Sequence, residues 1–297
     1  MNTISATKPT GAPISASPYV VAKHIPYARY VISAALIVAL ALIAHAFAVG
    51  QIQWLVVRQY LFDSAIMNGM INTIILTFFS MVAGIALGLA SALMTDSQNP
   101  LMRSVSSGYR FFFRSIPILL QLLIWYNLAL VFPRIVVPGI ASFETTQVIT
   151  PFVAALLAFG ISQGAYTSEV IRSGLLSVGR GQVEAAKSIG MTRGATLRRI
   201  VLPQAMRVIV PPLGNETIGM LKYTSLASII QYQDIVYSTQ TIYYANGLVI
   251  EMLIVCAFWY LLVVATLSYF QSKIEKHYNK SNQTHSSRVE NSVEKAG

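Results

Sequence analysis

Apolar residues in this chain gather into long blocks, and the polar and charged residues are swept into the segments between them. The first block, Tyr30 to Val49, is interrupted only by Ser33 and His45. At about 1.5 Å per helical residue it reaches roughly 30 Å, the thickness of a hydrocarbon core. Five more blocks follow. They cover residues 67–94, a stretch opening within Tyr109–Asn127 and ending near Phe132, Val148 to about Ile171, a stretch beginning after Pro203 and ending near Ile230, and Leu248 to Phe270. The fold class predicted is an all-α polytopic membrane protein with six transmembrane helices. Two spans carry glycines four residues apart, Gly84 with Gly88 and Gly160 with Gly164, a spacing that lets neighbouring helices approach closely. Residues 1–27 are rich in Ser, Thr, Ala and Pro and are predicted to be disordered. Ala46 and Ala48 resemble a leader cleavage site, but the apolar run exceeds a normal leader core, so an uncleaved first span is predicted. A polar, flexible tail is predicted from Gln271, carrying Lys273, Lys276 and Lys280.

Between the fourth and fifth blocks lies a polar, basic island, Arg180 to Pro203, too charged to cross lipid. Gln182 to Ile189 reads as a short helix, begun after Gly181 and stopped by Gly190, a residue that readily takes the left-handed end conformation. Val183, Ala186 and Gly190 share its small, mildly apolar face. Thr196 to Leu202 reads as a second short helix with Arg198 and Arg199 at lipid headgroups, and Pro203 marks the turn into the next span. The physical reading is a short helix presented to a partner protein outside the membrane.

The fifth block departs most from a lipid-facing helix, holding Pro211, Pro212, Asn215, Glu216, Lys222, Thr224 and Ser225. Polar groups in hydrocarbon cost several kcal/mol each, so this span is expected to line a cavity or another helix. If it begins near Val208, Glu216 lies about 12 Å in and Lys222 about 21 Å in, six positions apart and on different faces. In span four, Glu169 and Arg172 are three residues apart and are expected to pair. Arg114 reads either as a headgroup anchor or as a substrate contact. A polar loop with Arg103 and Arg110 is expected before span three, and 133–147 reads as a loop. The tyrosines of 231–245 read as interface anchors around Asp234.

Composition narrows the classes. With 55% hydrophobic and 11% charged residues the chain is not a soluble globular protein. Its net charge of +10 flanks apolar spans instead of forming a basic face, which argues against nucleic acid. The single cysteine, Cys256, excludes a disulfide framework or a cysteine metal site. No G-x-x-x-x-G-K-[ST] loop occurs, so nothing in the chain cradles the phosphates of ATP. His24, His45, His277 and His285 lack metal-ligand spacing, and no catalytic or metal-binding residues are expected. With both termini and the basic island inside, only Arg58 and Arg134 fall outside and Lys222 within the membrane, an asymmetry that orients the chain.

The island also carries a resemblance. Glu184, Ala185, Ala186 and Gly190, followed by Ile200, Leu202 and Pro203, resemble the EAA loop of permease subunits of bacterial binding-protein-dependent ABC importers, polar amino acid branch. Tyr109, Phe113, Arg114, Pro117 and Gln121 resemble a second signature of that family, and Gly164 to Val178, with Glu169 and Arg172, a third. Leu221 to Leu226 reads LKYTSL where many members resemble LKDTSL, so Tyr223 stands where an acidic neighbour of Lys222 is usual. The resemblance implies a permease domain over 67–272, an extra helix over 28–50 and a cytoplasmic tail over 273–297, in the bacterial inner membrane. It implies coupling of Glu184, Ala185, Ala186, Gly190, Leu202 and Pro203 to an ATPase subunit that holds ATP and Mg. It also implies a second permease, identical or paralogous, and a substrate-binding protein outside. Asn215, Glu216, Lys222, Thr224 and Ser225 are the candidate pathway. An ion-gradient transporter is the alternative, for which internal repeats and paired broken helices are expected, yet only span five looks interrupted. A scaffold without transport fits poorly with intramembrane charge.

Overall fold

The computed structural model describes residues 27–50, 52–137 and 141–294. The disorder predicted for residues 1–27 therefore lies almost wholly outside the described residues. Two units separate at residue 52. The first contains α1 (Tyr27–Val49), apolar around its whole circumference as a lipid-crossing helix must be.

The second unit begins with α2 (Trp54–Tyr60) and α3 (Ser64–Thr95). The Asp63 carboxylate caps α3 by accepting the Ala65 N–H at 2.8 Å. Where a polar loop was expected, α4 (Pro100–Ser115) forms instead. Asn99 caps it at the Leu101 N–H, 2.9 Å, and Pro100 occupies the first turn where no N–H is needed. The third predicted span is split at Ile116 and Pro117, beyond which α5 (Ile118–Tyr126) begins. The side-chain amide of Gln121 donates to the Phe113 and Ile116 carbonyls at 3.0 and 2.9 Å, satisfying backbone left open at that break.

The all-α expectation needs one correction. Residues 134–144 form a two-stranded antiparallel hairpin, β1 (Arg134–Val137) with β2 (Ala141–Glu144), Arg134 facing Glu144 in register. The β-branched run Ile135, Val136 and Val137, followed in sequence by Pro138 and Gly139, allows this, although the apolar-block reading passed over it. A single turn, α6 (Thr145–Val148), leads to α7 (Pro151–Leu176), capped by Thr150.

Helices α3 and α7 form the spine of the unit. Gly84 faces Gln163, Gly88 faces Thr167, and Gly160 faces Ala83, so the glycines of both helices interlock as their spacing predicted. Buried Leu76, Leu122, Phe159 and Met220 complete the core beside them.

Next come α8 (Arg180–Ser188) and the single turn α9 (Arg193–Thr196). A π-helical turn over Leu197–Val201 then runs without a break into α10 (Leu202–Tyr223). The turn predicted at Pro203 is absent. Proline lacks the N–H for the carbonyl four residues back, and the wider π turn before it, closed by the Leu202 N–H on the Leu197 carbonyl, accommodates that loss. Pro211 and Pro212 lie inside α10, which nonetheless continues to Tyr223 before tightening into a 3₁₀ turn, Thr224–Ile230.

Finally α11 (Ile235–Asn246) leads to α12 (Val249–Glu294). The tail expected to be loose from Gln271 instead extends α12. Gln271 is buried against α10, and its side-chain N–H donates to the Pro211 carbonyl at 2.7 Å. Among the described residues three helices are long and apolar enough to cross a membrane, within Arg29–Val49, Ser64–Thr95 and Val249–Tyr278. Helices α7 and α10 have the length, at 26 and 22 residues, but are laced with polar groups.

Candidate functional site

Two cavities and one surface helix hold some of the residues singled out by sequence. The first cavity, about 340 Å³, lies between the α4–α5 break, α7 and α10. Arg114, Gln163, Tyr166, Glu216 and Tyr223 line it, with Ser115 to Ile118 supplying one wall. Glu216 accepts the Gln163 side-chain N–H at 3.3 Å, and Gln163 also donates to Thr167 at 3.2 Å. A carboxylate and a guanidinium thus line one chamber, among phenol and amide groups.

Arg114 makes its contacts on α7. Its guanidinium lies over the Tyr166 ring, 5.4 Å from the centroid, and 3.7 Å from the Glu169 carboxylate. Glu169 makes its close pair with Arg110, at 2.9 Å. The expected pair of Glu169 with Arg172 is therefore replaced by contacts across to α4, where Arg110 and Arg114 are one turn apart and both face α7. The Arg172 Nε is buried without a hydrogen bond. Arg110 is fixed further by Ser106 at 2.7 Å and by Thr95, and Ser106 joins Ser91 and through it Ser168. A polar ladder so links α3, α4 and α7. Beside it lies the second cavity, about 460 Å³, lined by Ser107, Arg110, Arg114, Tyr166 and Glu169.

The structure separates the candidate pathway residues. Glu216 lines the first cavity, whereas Asn215 turns to α12 and donates to Glu275 at 3.2 Å. Lys222 is exposed and lies outside the cavity lining. Thr224 is fully buried and donates to the Leu221 carbonyl at 2.7 Å, while Ser225 donates to the Lys222 carbonyl at 2.6 Å. Both hydroxyls hold the 3₁₀ turn. Tyr223, noted in sequence only as a missing acid, lines the cavity. Gln163, Tyr166 and Arg110 were missed. Their one sequence signal was polar character inside or beside an apolar block, which intramembrane function favours.

The island residues form a compact surface feature. Helix α8 starts two residues earlier than predicted, at Arg180, with Gly181 inside its first turn. Its end is as read. Gly190 has φ +79°, its N–H meets the Lys187 carbonyl at 2.9 Å, and the Met191 N–H meets the Ala186 carbonyl at 3.0 Å. Ala186 is buried, whereas Glu184, Ala185 and Ile189 are exposed. Leu202 and Pro203 open α10 behind it.

Comparisons with known proteins converge. The family described as "Binding-protein-dependent transport system inner membrane component" matches residues 84–280. The chain is 40% identical over 229 residues to the arginine transport system permease protein ArgU of Corynebacterium glutamicum, covering 76% of this chain and 72% of that protein. It is 38% identical over 230 residues to the L-cystine transport system permease protein TcyB of Bacillus subtilis, covering 77% and 92%. Among solved structures it is similar to an amino acid ABC transporter with histidines, at TM-score 0.63 and 34% identity over 72% of this chain and 94% of that one. The MetNI methionine ABC transporter, at TM-score 0.55 and 19% identity over 72% and 95%, shares the fold.

Proposed function

This chain belongs to the inner membrane components of binding-protein-dependent transport systems, and on that premise we propose that it carries a polar amino acid through the cavity at Glu216, as the six-span subunit of an ATP-driven importer. It is a permease and not itself an ATPase. The observation that carries the substrate reading is that Arg114 and Glu216 both line one chamber of about 340 Å³. An amino acid presents a carboxylate and an ammonium a few ångströms apart, and a guanidinium fork with a carboxylate matches both. Relatives named for arginine and L-cystine support a polar amino acid.

In this reading α3, α7, α10 and α12 cross the membrane with α1 and the broken α4–α5 unit, and both termini face the cytoplasm. The distribution of Lys and Arg supports that orientation. The exposed face of α8 docks on an ATPase subunit, which holds ATP and Mg. A second permease, identical or paralogous, completes the pathway, and an external binding protein delivers the solute.

The test is uptake of labelled arginine, histidine, cystine and glutamine by proteoliposomes holding the complex with its binding protein. At least one is expected to accumulate with ATP. Glu216→Gln is expected to reduce that uptake at least tenfold, the loss of about one charge-assisted contact, while the ATPase still copurifies. Absence of uptake for all four, or full uptake by Glu216→Gln, would overturn the reading.

A further inference from the structure

The two cavities share a wall. Arg114, Ser115 and Tyr166 line both, and the shared surface is the guanidinium of one helix laid on the phenol ring of another. The chambers also differ in depth. Along α7, Glu169 of the second cavity follows Gln163 of the first by six residues, about 9 Å closer to the end that leads into α8. A solute leaving the Glu216 chamber toward α8 would pass Arg114.

The holding of Arg114 is lopsided. Arg110 meets Glu169 through Nε at 2.9 Å and turns Nη1 to Ser106 and Thr95, so Glu169 has a close partner without Arg114. Arg114 stands 3.7 Å from the same carboxylate oxygen, beyond hydrogen-bond distance, with its side chain 45% exposed. One guanidinium anchors the wall and the other rests against it.

We propose that Arg114, stacked on Tyr166, is a movable gate on the α8 side of the Glu216 chamber, held shut by Glu169 and drawn aside by a carboxylate-bearing solute that competes for its guanidinium. A carboxylate offers the planar, paired acceptors that a guanidinium fork binds best, and the long contact to Glu169 is the weaker of the two to lose. Arg110 keeps Glu169, and with it α7, in place while the gate moves. This inference rests on the transport reading above, and deepens it by assigning Arg114 to release.

The test is thiol accessibility in inside-out membrane vesicles holding the complete complex, in a Cys256→Ser background. Ile118→Cys places a thiol in the first cavity and Ser107→Cys one in the second. A membrane-impermeant maleimide is expected to label Ser107→Cys readily and Ile118→Cys about tenfold more slowly or less, since an open form below about 10% limits the rate. Arg114→Ala is expected to bring Ile118→Cys to the Ser107→Cys rate, and Tyr166→Leu, which removes the stacking ring and keeps the charge, to do so in part. Equal labelling of both thiols with Arg114 and Tyr166 intact would overturn the gate, as would protection that survives both substitutions. If Arg114→Ala fails to assemble with its ATPase, Tyr166→Leu decides. The labelling needs no substrate, so protection with failed uptake sinks only the amino acid assignment.

Discussion

Glu169 serves two guanidiniums from one oxygen, at 2.9 and 3.7 Å, and the difference sets which cation is fixed and which is available. Asp234 presents another single-residue imbalance. Its Oδ1 caps α11 at the Tyr237 N–H, 2.8 Å, while Oδ2 is buried without a partner. Burial pushes this carboxyl up to about 7, against backbone hydrogen bonds that lower it. A carboxyl raised in the folded state favours folding when protonated. Its contribution is therefore full below the ordinary value near 3.8 and lost as pH rises through about 7. Asp234→Asn keeps the cap and cannot ionise. It is expected to flatten the fall in thermal midpoint that this titration would give the purified complex between pH 5 and 8, and to leave the variant more stable at pH 8; an unchanged pH profile would remove Asp234 from that role. None of this was legible in sequence, where Asp234 read only as a lone acid among tyrosines.

Among the elements, the α3–α7 contact is the one most clearly written in the chain. A Cβ at Gly88 would stand 2.7 Å from the Thr167 side chain and 3.0 Å from the Ser168 backbone, which cannot yield. Gly108 on α4 has nothing within 4 Å. Alanine at either position gains helix propensity, about 1 kcal/mol. At Gly88 the overlap is expected to outweigh that gain, since overpacking costs about 1–3 kcal/mol. Gly88→Ala should lower the thermal midpoint of the detergent-purified complex and Gly108→Ala should not; equal midpoints would mean that α3 and α7 are looser than drawn. The α10–α12 contact is the opposite case. Gln271 seats its amide against Gly214 and donates to Pro211, and Asn215 reaches Glu275. Local sequence marks Pro211 as a breaker and Gln271 as the start of a tail, because the partner that satisfies each lies some 60 residues away.

At the scale of the whole molecule, the cavity wall and α8, the helix proposed to dock on an ATPase subunit, lie on consecutive helices. Helix α7 carries Gln163, Tyr166 and Glu169 past both cavities, and only Ser177 to Gly179 separate it from α8. Movement of α8 would therefore be felt by α7, whose glycines clamp it to α3. Reversing charge on the exposed face of α8, by Glu184→Lys, is expected to leave ATP hydrolysis by the partner subunit running while uptake falls to background. Uptake and hydrolysis measured on the same proteoliposomes check this, and full uptake with normal assembly would refute the coupling role.

The sequence by itself determined what depends on neighbours in the chain or on the solvent: apolar blocks long enough for lipid, glycines spaced for close packing, the stop of α8 at Gly190, and the family through its spaced motifs. Each follows from periodicity, backbone freedom or transfer energy, which are local properties. Only the tertiary structure decided that Glu169 chooses Arg110 and Arg114 over Arg172, that Asn215 turns to α12 and Glu216 to α7, and that Tyr166 and Tyr223 face a chamber. Helical sequence fixes the angle between two side chains on one rod, but the rotation of each rod about its axis is set by what packs against it, and with it the partner each charged group meets.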